Sequence, residues 1–143
     1  MFIYVLSFFI IVLDQLTKYL ALKYLSPHQS IPLIPDVFHL SLVRNSGIAF
    51  GLFGDRANLL TAVVIVCLLG LIILAFQMRR AGLLERVALG FILGGAAGNL
   101  IDRMISGHVV DFLDFRIWPV FNLADSFITV GVALFLILSF RKN

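Results

Sequence analysis

The chain has 143 residues, of which 61% are hydrophobic and 13% charged, and its mean hydropathy is +1.05. A soluble domain of this size cannot bury so much apolar surface, so the composition predicts a protein whose solvent is lipid. The net charge of +3 is small and the eleven Lys and Arg residues form no basic run, which argues against a nucleic-acid partner. The single cysteine, Cys67, excludes an internal disulfide and a cysteine-rich metal cluster.

Four apolar segments are long enough to cross a bilayer, which takes roughly 20 apolar residues. They cover about residues 2–25, 58–77, 83–103 and 122–140. The first segment differs from a cleavable signal peptide, because it has no basic N-terminal region and carries Asp14 and Lys18 in its middle. We therefore predict that it is retained as the first of four membrane helices.

Two stretches of the sequence concentrate basic residues. They are QMRRAGLLER, between the second and third segments, and the C-terminal RKN. An even number of spans places both on one side of the membrane together with the N-terminus, and the positive-inside tendency makes that side the cytoplasm. The bias is modest, because five other basic residues fall towards the opposite face: Lys23, Arg44, Arg56, Arg103 and Arg116.

The segments predicted to lie on the outer side, about residues 26–57 and 104–121, carry strand and turn patterns. SPHQSIPLIPD contains three prolines, which favour extended chain and turns. FHLSL alternates apolar and polar residues before the turn-like RNSG, and VVDFLDFRI is rich in β-branched and aromatic residues, so both resemble strands. We predict an all-α membrane protein, one domain over residues 1–143, with four transmembrane helices and a small β element on the outer face.

Charged side chains within apolar segments are costly and therefore informative. Asp14 and Lys18 stand four residues apart and share a helix face. They form an ion pair that makes the burial of both tolerable, or they lie near a substrate, and the two roles are compatible. In the third segment Asn99 and Asp102 share a face. Asp102 beside Arg103 is more often a structural salt bridge than a catalytic group.

Two further carboxylates flank the start of the fourth segment. Asp125 follows Asn122 by three residues, a spacing typical of a capping box, so a purely structural role explains it. Asp111, in a predicted strand, has a structural interpretation as well, in which it faces water beside Asp114. The order helix, short strand, helix nevertheless brings Asp111 and Asp125 to one outer boundary of the bundle. Two carboxylates near one water form a hydrolytic device, because one holds a proton while the other takes a proton from the water.

Other catalytic chemistries have little support in the sequence. There is no H-E-x-x-H motif, and His28, His39 and His108 are scattered without the spacing of metal ligands. No G-x-S-x-G elbow occurs, and GGAAG lies within an apolar helix rather than in a phosphate-binding loop after a strand. We therefore expect no metal and no cofactor, and any catalyst in this chain to be carboxylate-based.

Five sequence blocks occur between residues 14 and 127: DQLTK, RNSGIAFG, GGAAGNLIDR, VVDFLDF and FNLADSF. In this order they resemble the motifs of the bacterial lipoprotein signal peptidases, the signal peptidase II family. The resemblance implies an intramembrane aspartic endopeptidase of the cytoplasmic membrane, with both termini in the cytoplasm and the active site near the outer face. The implied substrate is a diacylglyceryl-modified prolipoprotein, cut just before the lipidated cysteine.

The resemblance also implies individual roles. Asp111 and Asp125 would form the catalytic dyad. The residues that would line or support the site are Asn45, Asn99, Arg103, Asn122, Ala124, Asp14, Lys18 and Asp102. The implied partners are lipidated prolipoproteins, membrane lipid and globomycin-type inhibitors.

Gly90, Gly94 and Gly98 recur at four-residue intervals and form a face along which another helix or a lipid chain can approach the backbone. We expect a groove floored by these small residues, and closed above by the β element, to hold the lipid of the substrate. Two other classes of protein remain open. A small ion- or proton-coupled transporter also holds acidic residues at depth, although no repeat or broken helix is evident. An assembly factor uses polar residues only to bind helices together.

Overall fold

The computed structural model describes residues 1–27, 29–46 and 57–141. His28, Arg56, the last two residues and the last five residues of the RNSGIAFG block lie outside these ranges. The turn predicted at RNSG is wrong at Arg44 and Asn45, which belong to a strand. The helices are α1 (Phe2–Tyr24), α2 (Ala57–Gln77), α3 (Leu83–Ser106) and α4 (Leu123–Phe140). The strands are β1 (Ser30–Ile34), β2 (Phe38–Asn45) and β3 (Val109–Asp114). The predicted fold class is confirmed, and each helix boundary lies within three residues of its predicted position.

Helix α3 is the centre of the helical part. All four helices are long and apolar enough to cross a membrane, but 56% of the α3 span is buried against 6% of the α2 span. Helices α1, α2 and α4 each pack on α3. The apolar outer faces of α2 and α4 remain uncovered by protein, as expected of helices whose solvent is lipid. Cys67 is exposed on α2.

The small-residue face of α3 packs against α1. A Cβ added to Gly90 would lie 2.8 Å from the side chain of Leu6, and one added to Gly94 would lie 2.8 Å from Ile10. Close approach of two backbones is the usual role of such a face. Of the two alternatives for Gly90, Gly94 and Gly98, approach of another helix is confirmed. The expectation that they floor a lipid groove is wrong, because α1 fills that space.

Gly98 lies directly beneath the carboxylate of Asp14, and this contact gives a testable consequence. A Cβ at Gly98 would lie 2.5 Å from Asp14 Oδ2, whereas one at Gly70 in α2 would meet nothing within 4 Å. We expect Gly98→Ala to destabilise the protein by about 1–3 kcal/mol, the usual penalty for overpacking a tight site. Gly70→Ala is the matched control and should leave the melting temperature unchanged or raise it. Equal melting temperatures for the two variants would contradict the close α1–α3 packing.

The three strands form one antiparallel sheet in the order β1-β2-β3. Strands β2 and β3 are the two predicted ones, but β1 lies in the segment where only extended chain and turns were expected. Pro32 is tolerated in β1 because this strand is at the edge of the sheet, where one side needs no ladder hydrogen bond. The sheet packs on the end of α1 through Ala21, Leu25 and Phe112.

A short bridge connects β3 to the start of α4. Leu113 N–H donates to the carbonyl of Phe121 over 2.8 Å, and Phe121 N–H donates back over 3.0 Å. The chain between them leaves the sheet and returns to it, so that α4 begins two residues after Phe121. This bridge fixes the position of Asp111 in β3 relative to the first turn of α4.

Candidate active site

Asp111 is buried in β3 and is held by two side-chain amides. Only 1% of it is exposed. Its Oδ1 accepts a hydrogen bond from Asn122 Nδ2 over 2.7 Å, and its Oδ2 accepts one from Asn45 Nδ2 over 2.9 Å. The interpretation in which Asp111 faces water beside Asp114 is therefore wrong.

Asp114 belongs to a separate group of polar residues at the edge of the sheet. It accepts hydrogen bonds from the Ser41 hydroxyl over 2.8 Å and from the backbone N–H of Arg116 over 2.8 Å. The Arg116 guanidinium lies 3.2 Å from it. Burial acts to raise the pKa of Asp114, but these hydrogen bonds and the nearby positive charge outweigh it and hold the pKa below its ordinary value.

Asp125 both caps α4 and bonds to a side chain of α3. Asn122 Oδ1 accepts from Asp125 N–H over 2.9 Å, and Asp125 Oδ2 accepts from Asn122 N–H over 3.2 Å, so the predicted capping box is confirmed. Its other oxygen, Oδ1, accepts from Asn99 Nδ2 over 2.8 Å. Asn122 thus donates from its side-chain Nδ2 to the Asp111 carboxylate and from its backbone N–H to the Asp125 carboxylate, so one residue joins the two carboxylates.

A buried charged cluster lies on the other side of Asn99. Lys18 Nζ is 2.8 Å from Asp14 and 2.8 Å from Asp102, and it donates to Asn99 Oδ1 over 2.9 Å. The predicted Asp14–Lys18 ion pair is confirmed. The expected Asp102–Arg103 salt bridge is wrong, because Asp102 points to α1 and pairs there with Lys18.

The remaining two candidate site residues are Ala124 and Arg103. Ala124 is fully buried, and its backbone N–H donates to Asp14 Oδ1 over 3.0 Å, which attaches the first turn of α4 to α1. Arg103 donates to the carbonyl of Asn99 over 3.4 Å. Its Nε is buried with no hydrogen-bond partner in the described ranges. The positive charge of Arg103 interacts with the charges of Asp125 and Asp111.

The electrostatic environment of Asp111 favours its protonated form. Burial, as the larger cause, and the nearby charge of Asp125 both act to raise the pKa of Asp111, which is about 6 compared with an ordinary value of 3.8. Hydrogen bonds from Asn45 and Asn122 and the charge of Lys18 act in the opposite direction. The two carboxylates are therefore close enough for the charge of Asp125 to act on the proton of Asp111.

This raised pKa predicts a pH-dependent stability difference. The folded state binds the Asp111 proton more tightly than the unfolded chain, so Asp111 favours folding below about pH 4, and that contribution is lost as pH rises through about 6. The melting temperature of Asp111→Asn relative to wild type should therefore increase between pH 4.5 and pH 7.5. Asp114→Asn should show no such trend, because the lowered pKa of Asp114 moves its transition below this window. Parallel trends for the two variants would contradict the assignment.

A cavity of about 510 Å³ opens beside Asp125. Its walls include Phe115, Trp118 and Phe121, together with Ser126 and Thr129 from the first turns of α4. The two hydroxyl groups donate to backbone carbonyls of their own helix, so they offer little to a ligand. The cavity is therefore apolar, with Asp125 as its charged group. The sequence analysis did not predict this cavity, although the aromatic residues between β3 and α4 were a signal for an apolar site.

Gln15 is a second residue that the sequence analysis did not single out. Its Nε2 donates to Asp102 over 2.9 Å and to the carbonyl of Gly98 over 3.2 Å. It lies within the DQLTK block, between Asp14 and Lys18. The four-residue spacing that predicted the ion pair does not include Gln15, so no pattern in the sequence pointed to it.

The chain is similar to known peptidases over almost its whole length. Residues 6–141 match the model of the signal peptidase (SPase) II family. A lipoprotein signal peptidase of Halothermothrix orenii is 45% identical, with 99% of this chain and 97% of that protein covered. One from Brevibacillus brevis is 47% identical, with 100% and 99% covered. A solved structure of a bacterial membrane enzyme superposes with a TM-score of 0.87 at 32% identity, with 97% of this chain and 92% of that one covered. The chain therefore belongs to the signal peptidase II family, and it is a membrane-embedded peptidase.

Proposed function

We propose that this peptidase removes the signal peptide from diacylglyceryl-modified prolipoproteins by cutting before the lipidated cysteine, with Asp111 and Asp125 as its catalytic dyad. The observation that carries the proposal is the link through Asn122, whose amide bonds to Asp111 while its oxygen and N–H bond to Asp125. The name and the near-complete coverage of the relatives support the substrate class.

In the proposed reaction the two carboxylates have different protonation states. Asp111, with its raised pKa, holds the proton and donates it towards the scissile carbonyl. Asp125 accepts hydrogen bonds from Asn99 and Asn122, which orient its carboxylate, and it takes a proton from the attacking water. Water adds to the carbonyl carbon. The tetrahedral intermediate then breaks its C–N bond as Asp125 passes the proton taken from water to the leaving amine, and Asp111 recovers its proton from the new hydroxyl group. No covalent enzyme intermediate forms.

The apolar cavity beside Asp125 is the proposed place for an apolar part of the substrate. Its volume of about 510 Å³ lies within the roughly 300–1,000 Å³ of ordinary ligand sites. A substrate held there would present its scissile bond to Asp125 at the cavity wall. Trp118 lines the cavity and is the single tryptophan of the chain, so its fluorescence reports directly on occupancy.

We place the enzyme in the bacterial cytoplasmic membrane, as one domain over residues 1–143, with both termini in the cytoplasm and the dyad near the outer face. The basic connection between α2 and α3 supports this orientation. Globomycin-type inhibitors would compete for the same site, and nucleic acid would not bind.

Cysteine labelling in intact cells tests the orientation. In a Cys67→Ala background, cysteines introduced at Gln29 or Gly107 should react with an impermeant thiol reagent, because both positions flank the sheet. A cysteine at Gly82, between α2 and α3, should react only after the cells are opened. The reverse pattern would place the dyad on the wrong side of the membrane.

The decisive experiment for the proposed function is cleavage by the purified protein in detergent. We would offer two synthetic peptides of the same sequence, one with a diacylglyceryl cysteine and one with a free cysteine, and identify the products by mass spectrometry. We expect a cut before the lipidated cysteine only, with the rate unchanged by EDTA because the dyad needs no metal. Ion uptake into vesicles without cleavage would instead indicate a transporter, and neither activity would indicate an assembly factor.

A further inference from the structure

Asn99 connects Lys18 to Asp125 through two hydrogen bonds, one to each residue. Lys18 is 2% exposed, and its three short contacts go to Asp14, Asp102 and Asn99 Oδ1. An ammonium group carries three hydrogens and has no acceptor, so these contacts use its full capacity. One carboxylate would neutralise the charge of Lys18. Lys18 therefore does not need Asn99 to balance its charge, and the hydrogen bond to Asn99 requires a separate explanation.

The orientation of the Asn99 amide follows from the chemistry of its neighbours. Lys18 can only donate, so the Asn99 atom that faces it must be the oxygen. The Nδ2 group then points to Asp125 and donates to its Oδ1 over 2.8 Å. In the reverse orientation two donors would face each other at Lys18, and two acceptors would face each other at Asp125.

A second donor also reaches the oxygen of Asn99, but it carries no charge. Asn122 Nδ2 lies 3.1 Å from Asn99 Oδ1, compared with 2.9 Å for Lys18 Nζ. Hydrogen bonds from a charged donor are about twice as strong as neutral ones. They also polarise an amide, so that its N–H groups donate more strongly on the other side.

We infer that Lys18 is a positioning residue, which fixes and polarises the Asn99 amide so that this amide donates to Asp125. The inference rests on the proposed catalytic role of Asp125. The contacts with Asp14 and Asp102 hold the ammonium group in place, since they attach it to both α1 and α3. Lys18 itself touches neither member of the dyad through a hydrogen bond in the described structure.

Lys18→Met tests the inference, because methionine keeps an unbranched apolar chain and removes the charge. On the folded protein we expect kcat to fall about 10- to 100-fold, the loss that corresponds to removing one charge-assisted hydrogen bond. KM should stay within about twofold, because Asn99 is proposed to act on Asp125 and not on substrate binding. A wild-type kcat in the folded variant would overturn the inference.

The second measurement asks whether Lys18 acts through Asn99. In an Asn99→Ala background the amide is gone, so adding Lys18→Met should lower kcat no further. A merely structural lysine would instead reduce kcat by the same factor in both backgrounds, and that additive result would contradict the inference. Gln15→Met is the matched control, since Gln15 also bonds to Asp102 but has no hydrogen bond to Asn99 in the described structure. Its kcat should remain within about twofold of wild type.

A third variant keeps the test decisive if Lys18→Met does not fold. Lys18→Met combined with Asp102→Asn removes one charge of each sign, so the cluster keeps the net charge of the wild type. Its kcat should be about 10- to 100-fold below that of Asp102→Asn alone, and equal values would overturn the inference. Asp125→Asn distinguishes a failure of the proposed dyad from a failure of the proposed role of Lys18. Continued cleavage by that variant refutes the proposed dyad, whereas loss of its activity beside a fully active Lys18→Met refutes only the role of Lys18.

Discussion

Replacing Asp125 with Asn is expected to abolish cleavage while α4 remains capped and the protein remains folded. Asn accepts a hydrogen bond from an N–H group as Asp does and loses only the interaction with the helix dipole, about 0.3–1 kcal/mol. The substitution nevertheless removes the carboxylate that takes the proton from water. We expect a loss of about 10⁴-fold or more, as for other members of a catalytic unit. Lipidated precursor should still bind and should quench or shift the fluorescence of Trp118.

Asp114→Asn is the matched control for this result. Asp114 is 6% exposed and hydrogen-bonded like a site residue, but its partners are Ser41 and Arg116 at the edge of the sheet. We expect this variant to retain most of its activity. Near-normal cleavage by Asp125→Asn would mean that the capping box is the whole role of Asp125.

Asn122→Asp is expected to keep the helix cap and lose catalysis. Asp and Asn are equally good N-terminal caps, so the stability of α4 should change little. Asp at this position has no N–H to donate to Asp111, which loses a hydrogen bond of 2.7 Å. Leaving a buried acceptor without its partner costs about 1–3 kcal/mol, and the loss therefore corresponds to a rate reduction of about 5- to 150-fold. The new carboxylate would also repel Asp111 and raise its pKa further.

Two other substitutions distinguish the role of the capping oxygen of Asn122 from the role of its amide N–H donor. Asn122→Ser keeps a neutral capping oxygen without the donor, and Asn122→Ala removes both. If the amide is what matters, kcat should fall in all three variants, and only Asn122→Ala should lose about 0.5–2 kcal/mol of stability. Activity that follows melting temperature across the three would instead assign Asn122 to capping alone.

The helices and two of the strands could be predicted because their signals are local. An apolar run of sufficient length defines a membrane helix wherever it packs. Alternation in β2 and the β-branched and aromatic residues of β3 indicate strands in the same local way. Strand β1 was not predicted because Pro32 and the prolines on either side of the strand weaken the local signal. Only the edge position of β1 in the sheet makes Pro32 acceptable. The meeting of Asp111 and Asp125 followed from chain order, since one short strand separates the ends of α3 and α4.

The contacts between helices could not be predicted from the same signals. Spacing showed that Asp14 and Lys18 share a face of α1, but not that Asp102 of α3 completes their cluster. In the same way the glycines of α3 indicated a close approach without indicating that α1, and not lipid, fills it. Asp102 was assigned to its sequence neighbour Arg103 for the same reason. Helical periodicity defines faces within one element, while the pairing of faces depends on the whole packing.

The most direct test of the central claim is single-turnover cleavage of the diacylglyceryl peptide by four proteins: wild type, Asp111→Asn, Asp125→Asn and the double variant. If the two carboxylates act as one unit on one water, each single variant should lose about 10⁴-fold or more, and the double variant should be hardly slower than either. Each variant should still bind the peptide, as measured by Trp118 fluorescence. Near-normal cleavage by either single variant, or losses that multiply in the double variant, would contradict the dyad.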